Sequence, residues 1–106
     1  MKITFDEYQQ LSFKIIEQMK AFESQGLENV LQSDIINKLV QQINIIEGGG
    51  SSVEDSIALS KKITHVIAYL INKENVLLIS QDAKIKNERY LCLNVNVDLA
   101  NMNLGE

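Results

Sequence analysis

The chain contains no proline, and only one cysteine and one histidine, among its 106 residues. With Cys92 alone, no internal disulfide can form, and no Cys/His cluster has the spacing of a zinc site. No apolar run approaches the length that spans a bilayer. There is no basic excess either: ten lysines and arginines face fourteen acids, for a formal net charge of −4. The cations are scattered and form no polybasic block, which argues for a protein partner over a phosphate backbone. A lone thiol without a signal-peptide pattern fits a reducing intracellular compartment.

What is present suffices for one domain spanning 1–106. The apolar share is 45 %, ordinary for a chain with a core. A split at the glycine run 48–50 would leave two pieces of about 50 residues, marginal without disulfides or metal. The length suits either a very small protein or one excised domain.

Local signals order the chain. Thr4-Phe5-Asp6-Glu7 reads as a capping box, in which Thr4 accepts the amide of Glu7 and Glu7 reaches back. Behind it Phe5, Tyr8, Leu11, Ile15, Met19 and Phe22 recur at helical spacing, which predicts a helix over about 5–23 closed by a turn at Gly26. Phe13 falls off that stripe and reads as a surface residue. A short β-leaning stretch follows at 29–32. Ser33 then serves as N-cap for a helix over about 34–45, with Ile36, Leu39, Val40 and Ile43 inward. Ser51 with Glu54, and Ser52 with Asp55, offer two further caps for a third helix over about 53–72. Its inward stripe is Leu59, Ile63, Val66, Ile67 and Leu70, and Glu54, Ala58, Lys61 and His65 point the opposite way at about 100° per residue. Ile57 is an apolar residue on that exposed side. Two β runs at 76–80 and 90–95 flank a polar loop, and the tail 97–106 has no pattern. Helix, short strand, helix, helix, strand, loop, strand is the order of a winged helix. The expected class is α+β, a three-helix helix-turn-helix core with a small antiparallel β-sheet wing.

Gly48-Gly49-Gly50-Ser51-Ser52 fails as a phosphate loop, because the segment before it is helical and no Gly-Lys-Ser/Thr follows. Glu54 and Asp55 also occupy the positive end of the helix it leads into. The run reads as a flexible loop at 48–52, native or engineered. No catalytic constellation emerges. His65 has no nucleophile or metal partner at a motif spacing, and Cys92, in a strand without a neighbouring base, reads as a buried structural thiol. No enzyme, cofactor or metal is expected.

A DNA-reading third helix offers Arg, Lys, Asn or Gln to bases and phosphates. Here the exposed face opens with two acids, which suits a basic polypeptide, and Ile57 beside Glu54 would supply an apolar anchor in a charged rim. The bland alternative is a capped helix with a stray isoleucine, and physics alone weighs the two equally. The wing carries Lys84, Lys86 and Arg89, candidates for weak nucleic-acid contact, against Asp82 and Glu88.

"ITFDEYQQLSFKII", "SDIINKLVQQI", "KKITHVIAYLINKENVLLI" and "YLCLNVNVDL" occur in that order. Together they resemble the C-terminal winged-helix domain of the sixth subunit of the eukaryotic minichromosome maintenance (MCM) helicase. The resemblance covers nearly the whole chain. It implies a nuclear module of a replicative helicase whose ATPase lies upstream, in the company of the other MCM subunits. It also implies that the module docks the replication licensing factor during helicase loading at origins, with little or no DNA contact of its own and no membrane. In the family the contact uses acidic and apolar residues where the second helix ends and the third begins. By position these fall near Asn44, Glu47, Glu54, Asp55 and Ile57, with Lys61 on the same helix. Two rival roles are a DNA-binding winged helix and an element that packs on its own hexamer.

Overall fold

The first helix is set by chemistry at both of its ends. The computed structural model describes residues 2–46, 53–82 and 89–94. In it α1 runs Phe5–Ser24 behind a complete capping box, with the Glu7 amide donating to Thr4 Oγ1 at 3.1 Å and the Thr4 amide to Glu7 Oε1 at 3.3 Å. At the other end Gly26 takes φ +86°. The Gly26 amide donates to the Glu23 carbonyl at 3.0 Å and the Leu27 amide to the Phe22 carbonyl at 2.9 Å. These two bonds close the last turn, and a residue without Cβ makes the left-handed step there at little cost.

β1 is only Val30–Leu31, and α2, Gln32–Ile46, follows with no residue between them. The expected start at Asp34 is therefore two residues late, and Ser33 lies inside the first turn. α3 is Val53–Asn72. β2, Leu77–Asp82, and β3, Arg89–Leu93, complete an antiparallel sheet in the order β1-β3-β2. Val30 faces Leu91, Leu77 faces Leu93 and Leu78 faces Cys92, with a bulge between Ile79 and Gln81. Three helices with this small sheet make an α+β winged helix.

The strands are displaced from the expected 76–80 and 90–95. Asn75 adopts φ 55°, and the Val76 amide then donates to the Leu70 carbonyl of α3 at 2.9 Å. Val76 thus caps the helix before the strand can begin. Asparagine is among the few residues with a side chain that tolerate this backbone region. The loop 48–52, Glu47, Lys84, Lys86 and the tail 97–106 lie outside the described residues.

The core collects hydrocarbon from every helix and strand. α1 supplies Leu11, Ile15, Ile16 and Met19, α2 supplies Ile35, Leu39 and Ile43, and α3 supplies Ile63, Val66, Ile67 and Leu70. Val30, Val76, Leu77 and Leu91 close it from the sheet side. Three expectations are corrected. Phe5 lies on the apolar stripe but opens the helix, and it stays 53 % exposed. Ile35 is fully buried, whereas Ile36 and Val40 are only partly so. Cys92 is half-buried, because it stands beside Leu78 on the outer face of the sheet and away from the core layer. Burial pushes its thiol up, and Glu23 and Glu28 add to the effect. That makes a poor nucleophile.

Candidate functional site

α3 has its hydrocarbon face locked inward, so its remaining arc is presented to solvent. Glu54, Ala58, Lys61 and His65 are all exposed. Ile57 is 51 % exposed and lies on the side of α3 that turns toward α2. There it lines a groove of about 490 Å³ with Val53, Ser56 and Ser60 of α3 and with Asn37, Val40 and Gln41 of α2. Val53 at the helix start is also strongly exposed. An apolar strip thus runs along the α2–α3 seam, with Glu54 and Lys61 beside it on the same helix. Neither Val53 nor Val40 stood out in sequence, since a helix-start valine looks incidental and Val40 reads as core. At about 100° per residue, however, Val53 and Ile57 lie only about 40° apart, a signal that could have paired them.

Asp55 is placed differently. It lines a cleft of about 370 Å³ on the other flank of α3, with Glu7 and Lys14 of α1, Asn44 of α2 and Lys62 of α3. Glu7 and Lys62 form an ion pair across this cleft. The Lys62 ammonium, with the Thr4 amide, holds the Glu7 carboxyl below its ordinary value. Asn44 Nδ2 donates to Ser56 Oγ at 3.2 Å, tying the end of α2 to the start of α3. Asn44 therefore has a structural role. The candidates Glu54, Ile57 and Lys61 share one arc, and Asp55 faces away from it toward α1.

The family is decided by a whole-chain comparison. The sequence model of the MCM6 C-terminal winged-helix domain matches residues 1–99. The chain belongs to that family. No match was found among curated proteins or among solved structures. Membership makes the chain a winged-helix module of an MCM helicase subunit, which assembles with the other MCM subunits. MCM subunits are nuclear replication factors, and the MCM6 winged-helix domain is a non-catalytic part whose ATPase lies elsewhere. Among the described residues no group of His, Cys, Asp or Glu is arranged to hold a metal ion, and no helix is long and apolar enough to cross a membrane.

Within this MCM6 domain the wing offers little cationic surface that can be described. Arg89 is half-buried, and its Nε donates to Gln32 Oε1 at 2.6 Å, bracing β3 against the start of α2. A guanidinium engaged in this way is committed first to the fold. His65 lies on the exposed face of α3, and it borders an aromatic cleft with Phe5, Tyr8 and Tyr69.

Proposed function

We propose that this MCM6 domain docks the replication licensing factor through the junction of α2 and α3 while the helicase is loaded at origins. The reading rests chiefly on Ile57, half-exposed in a seam with Val53 and Val40 and flanked by Glu54 and Lys61. That is the make-up of an interface anchor: an apolar side chain entering a partner's pocket, with charge at the rim to steer and orient it. A basic amphipathic segment of the licensing factor fits, because its apolar side would cover the seam and its cations would meet Glu54. Glu47, the next residue in sequence after α2, is a further acidic candidate for this contact. The chain's net charge of −4 and the acid-led α3 favour this partner over duplex DNA.

Calorimetric titration of the domain with purified licensing factor tests the proposal. Glu54→Lys combined with Ile57→Ala should weaken binding at least about tenfold while circular dichroism stays unchanged. Unaltered affinity would remove the junction from the interface. Duplex DNA is the control titrant. A mobility shift at physiological salt with a steep salt dependence would replace docking by a DNA-binding role.

A further inference from the structure

The aromatic cleft on the α1–α3 side lies apart from the docking seam, with Ile3 and Tyr8 on its floor packed against the core. Its volume is about 250 Å³, and its walls are Ile3, Thr4, Phe5, Tyr8, His65 and Tyr69. The Tyr8 and Tyr69 rings meet edge to face, with centroids 5.0 Å apart and planes at 77°. Two rings at this angle form a corner with an open π-face on one side. Phe5 and Tyr69 remain 53 % and 40 % exposed, large for aromatic side chains on ordered helices. Burial of the Tyr8 hydroxyl, then the nearby carboxylate of Glu74, pushes Tyr8 up to about 12, so the ring stays a neutral phenol.

Lys73 and Glu74 follow the end of α3 side by side, and of the two it is Glu74 that acts on the Tyr8 hydroxyl. Glu74 sits just past the end of α3, where its amide donates to the Tyr69 carbonyl at 3.2 Å. No Lys or Arg side chain lines the cleft. Lys62, the nearest α3 cation in sequence on that flank, is paired with Glu7. Open aromatic faces beside a carboxylate attract a cation and give an anion nothing to hold. The cleft is also continuous with the docking face. Ile57, Lys61, His65 and Tyr69 follow one another at four-residue spacing, a ridge about 18 Å long. It carries the exposed side of α3 from the α2 seam to the aromatic corner.

We propose that the corner receives an arginine or lysine side chain from the same basic polypeptide segment that docks at the α2–α3 junction, as a second anchor at the far end of α3. This rests on the docking reading above. A segment following the ridge spans about 18 Å, roughly twelve helical residues of a partner, and would engage Ile57 at one end and the Tyr8–Tyr69 corner at the other.

Two measurements test it. In the first, the chain is titrated with acetyl-arginine-amide while the ring protons of Phe5, Tyr8 and Tyr69 are followed by NMR. Acetyl-citrulline-amide is the uncharged isostere. Saturable ring shifts with arginine alone support the corner. Equal shifts with citrulline, or none with either, overturn it. Ring shifts with a single-stranded oligonucleotide and not with arginine would overturn it in favour of base stacking.

In the second, licensing factor is titrated calorimetrically. Tyr69→Ala and His65→Lys should each weaken binding about fivefold, with Tyr69→Phe near wild type. His65→Lys matters most, because it keeps every ring in place and adds a like charge. Loss at Glu54 and Ile57 with none at His65 or Tyr69 would sink the corner and leave the junction standing. Loss only at the corner would sink the junction and, with it, the reading of the corner as a second anchor. No loss at either would sink both.

Discussion

The two faces of α3 obey different rules. Its inner face is Ile63, Val66, Ile67 and Leu70, all without solvent exposure. Its outer face is Glu54, Ile57, Ala58, Lys61, His65 and Tyr69, a mixture of acid, hydrocarbon, cation and aromatic. The inner set answers to one demand, the filling of a shared core, so its residue types are uniform. The outer set answers to no folding demand. A single exposed isoleucine there would need no explanation. Ile57 is not single: Val53 and Val40 share its groove, and Phe5, Tyr8 and Tyr69 make a second apolar place farther along. Hydrocarbon gathered twice on a face that folding does not require is what points to partners.

The largest effect should come from the inner face. Leu70→Ala removes a fully buried side chain of the shared core and should cost about 2–5 kcal/mol in urea unfolding. Ile57→Ala removes hydrocarbon of the same volume from the outer face and should stay within about 0.5 kcal/mol of wild type. Comparable losses for the two would break the division, because Ile57 would then be core by another route.

The same division decides what could be read in advance. The helix-helix-helix-wing order was legible because capping boxes and 3.6-residue spacing act within one segment. The inward side of α2 was less so. Ile35-Ile36 and Leu39-Val40 are adjacent apolar pairs, and periodicity cannot choose between neighbours about 100° apart. Packing against α1 and α3 chose Ile35 and Leu39. The start of β2 was hidden because a helix-capping bond, the Val76 amide to the Leu70 carbonyl, took the first strand donor. On the candidate face, the outward arc of α3 followed from geometry, but the flank that each residue adjoins did not. Asp55 and Ile57 are two residues apart, yet one faces α1 and the other α2. The Tyr8–Tyr69 corner joins two helices distant in sequence, and no local pattern could foreshadow it.

An amide pair at the edge of the core sharpens the comparison by showing where an inward face departs from hydrocarbon. Gln18 of α1 is buried, and its Oε1 accepts from Gln42 Nε2 of α2 at 3.0 Å. Gln42→Ala strips that donor from a buried acceptor and should cost about 1 kcal/mol. Gln41→Ala, one position along, leaves that bond in place and should cost nothing measurable. Chemical denaturation of the two variants side by side checks this. Equal effects would mean that the amide pair contributes nothing beyond helix propensity.

Tyr8 offers a smaller handle at alkaline pH. Its folded value, about 12, lies above the ordinary 10, because burial and then Glu74 disfavour the phenolate. A raised value means that the stabilisation is fully present below pH 10 and is lost as pH rises toward 12. Tyr8→Phe should therefore flatten the alkaline limb of the stability curve and leave neutral stability nearly unchanged. Thermal melts at pH 8 and pH 11 measure it. An identical alkaline slope in the variant would place the loss elsewhere.

The smallest expected effect lies on the boundary between the two faces. Lys62 stands on the α1 flank of α3, neither in the core nor on the outer arc, and pairs with Glu7. One oxygen of Glu7 closes the α1 capping box while the other takes Lys62, so a single carboxylate fastens the start of α1 to α3. Its folded value is depressed, first by Lys62 and then by the Thr4 amide. The contribution is thus present above the ordinary value of 4.5 and is lost as pH falls through the lower folded value. Glu7→Gln keeps a side chain that can still cap the helix but removes the charge. Its unfolding midpoint should match wild type in strong acid and fall slightly below it at pH 7, with the difference shrinking in salt. A gap that persists in strong acid would show that Glu7 acts through packing, and that the flank belongs with the inner face.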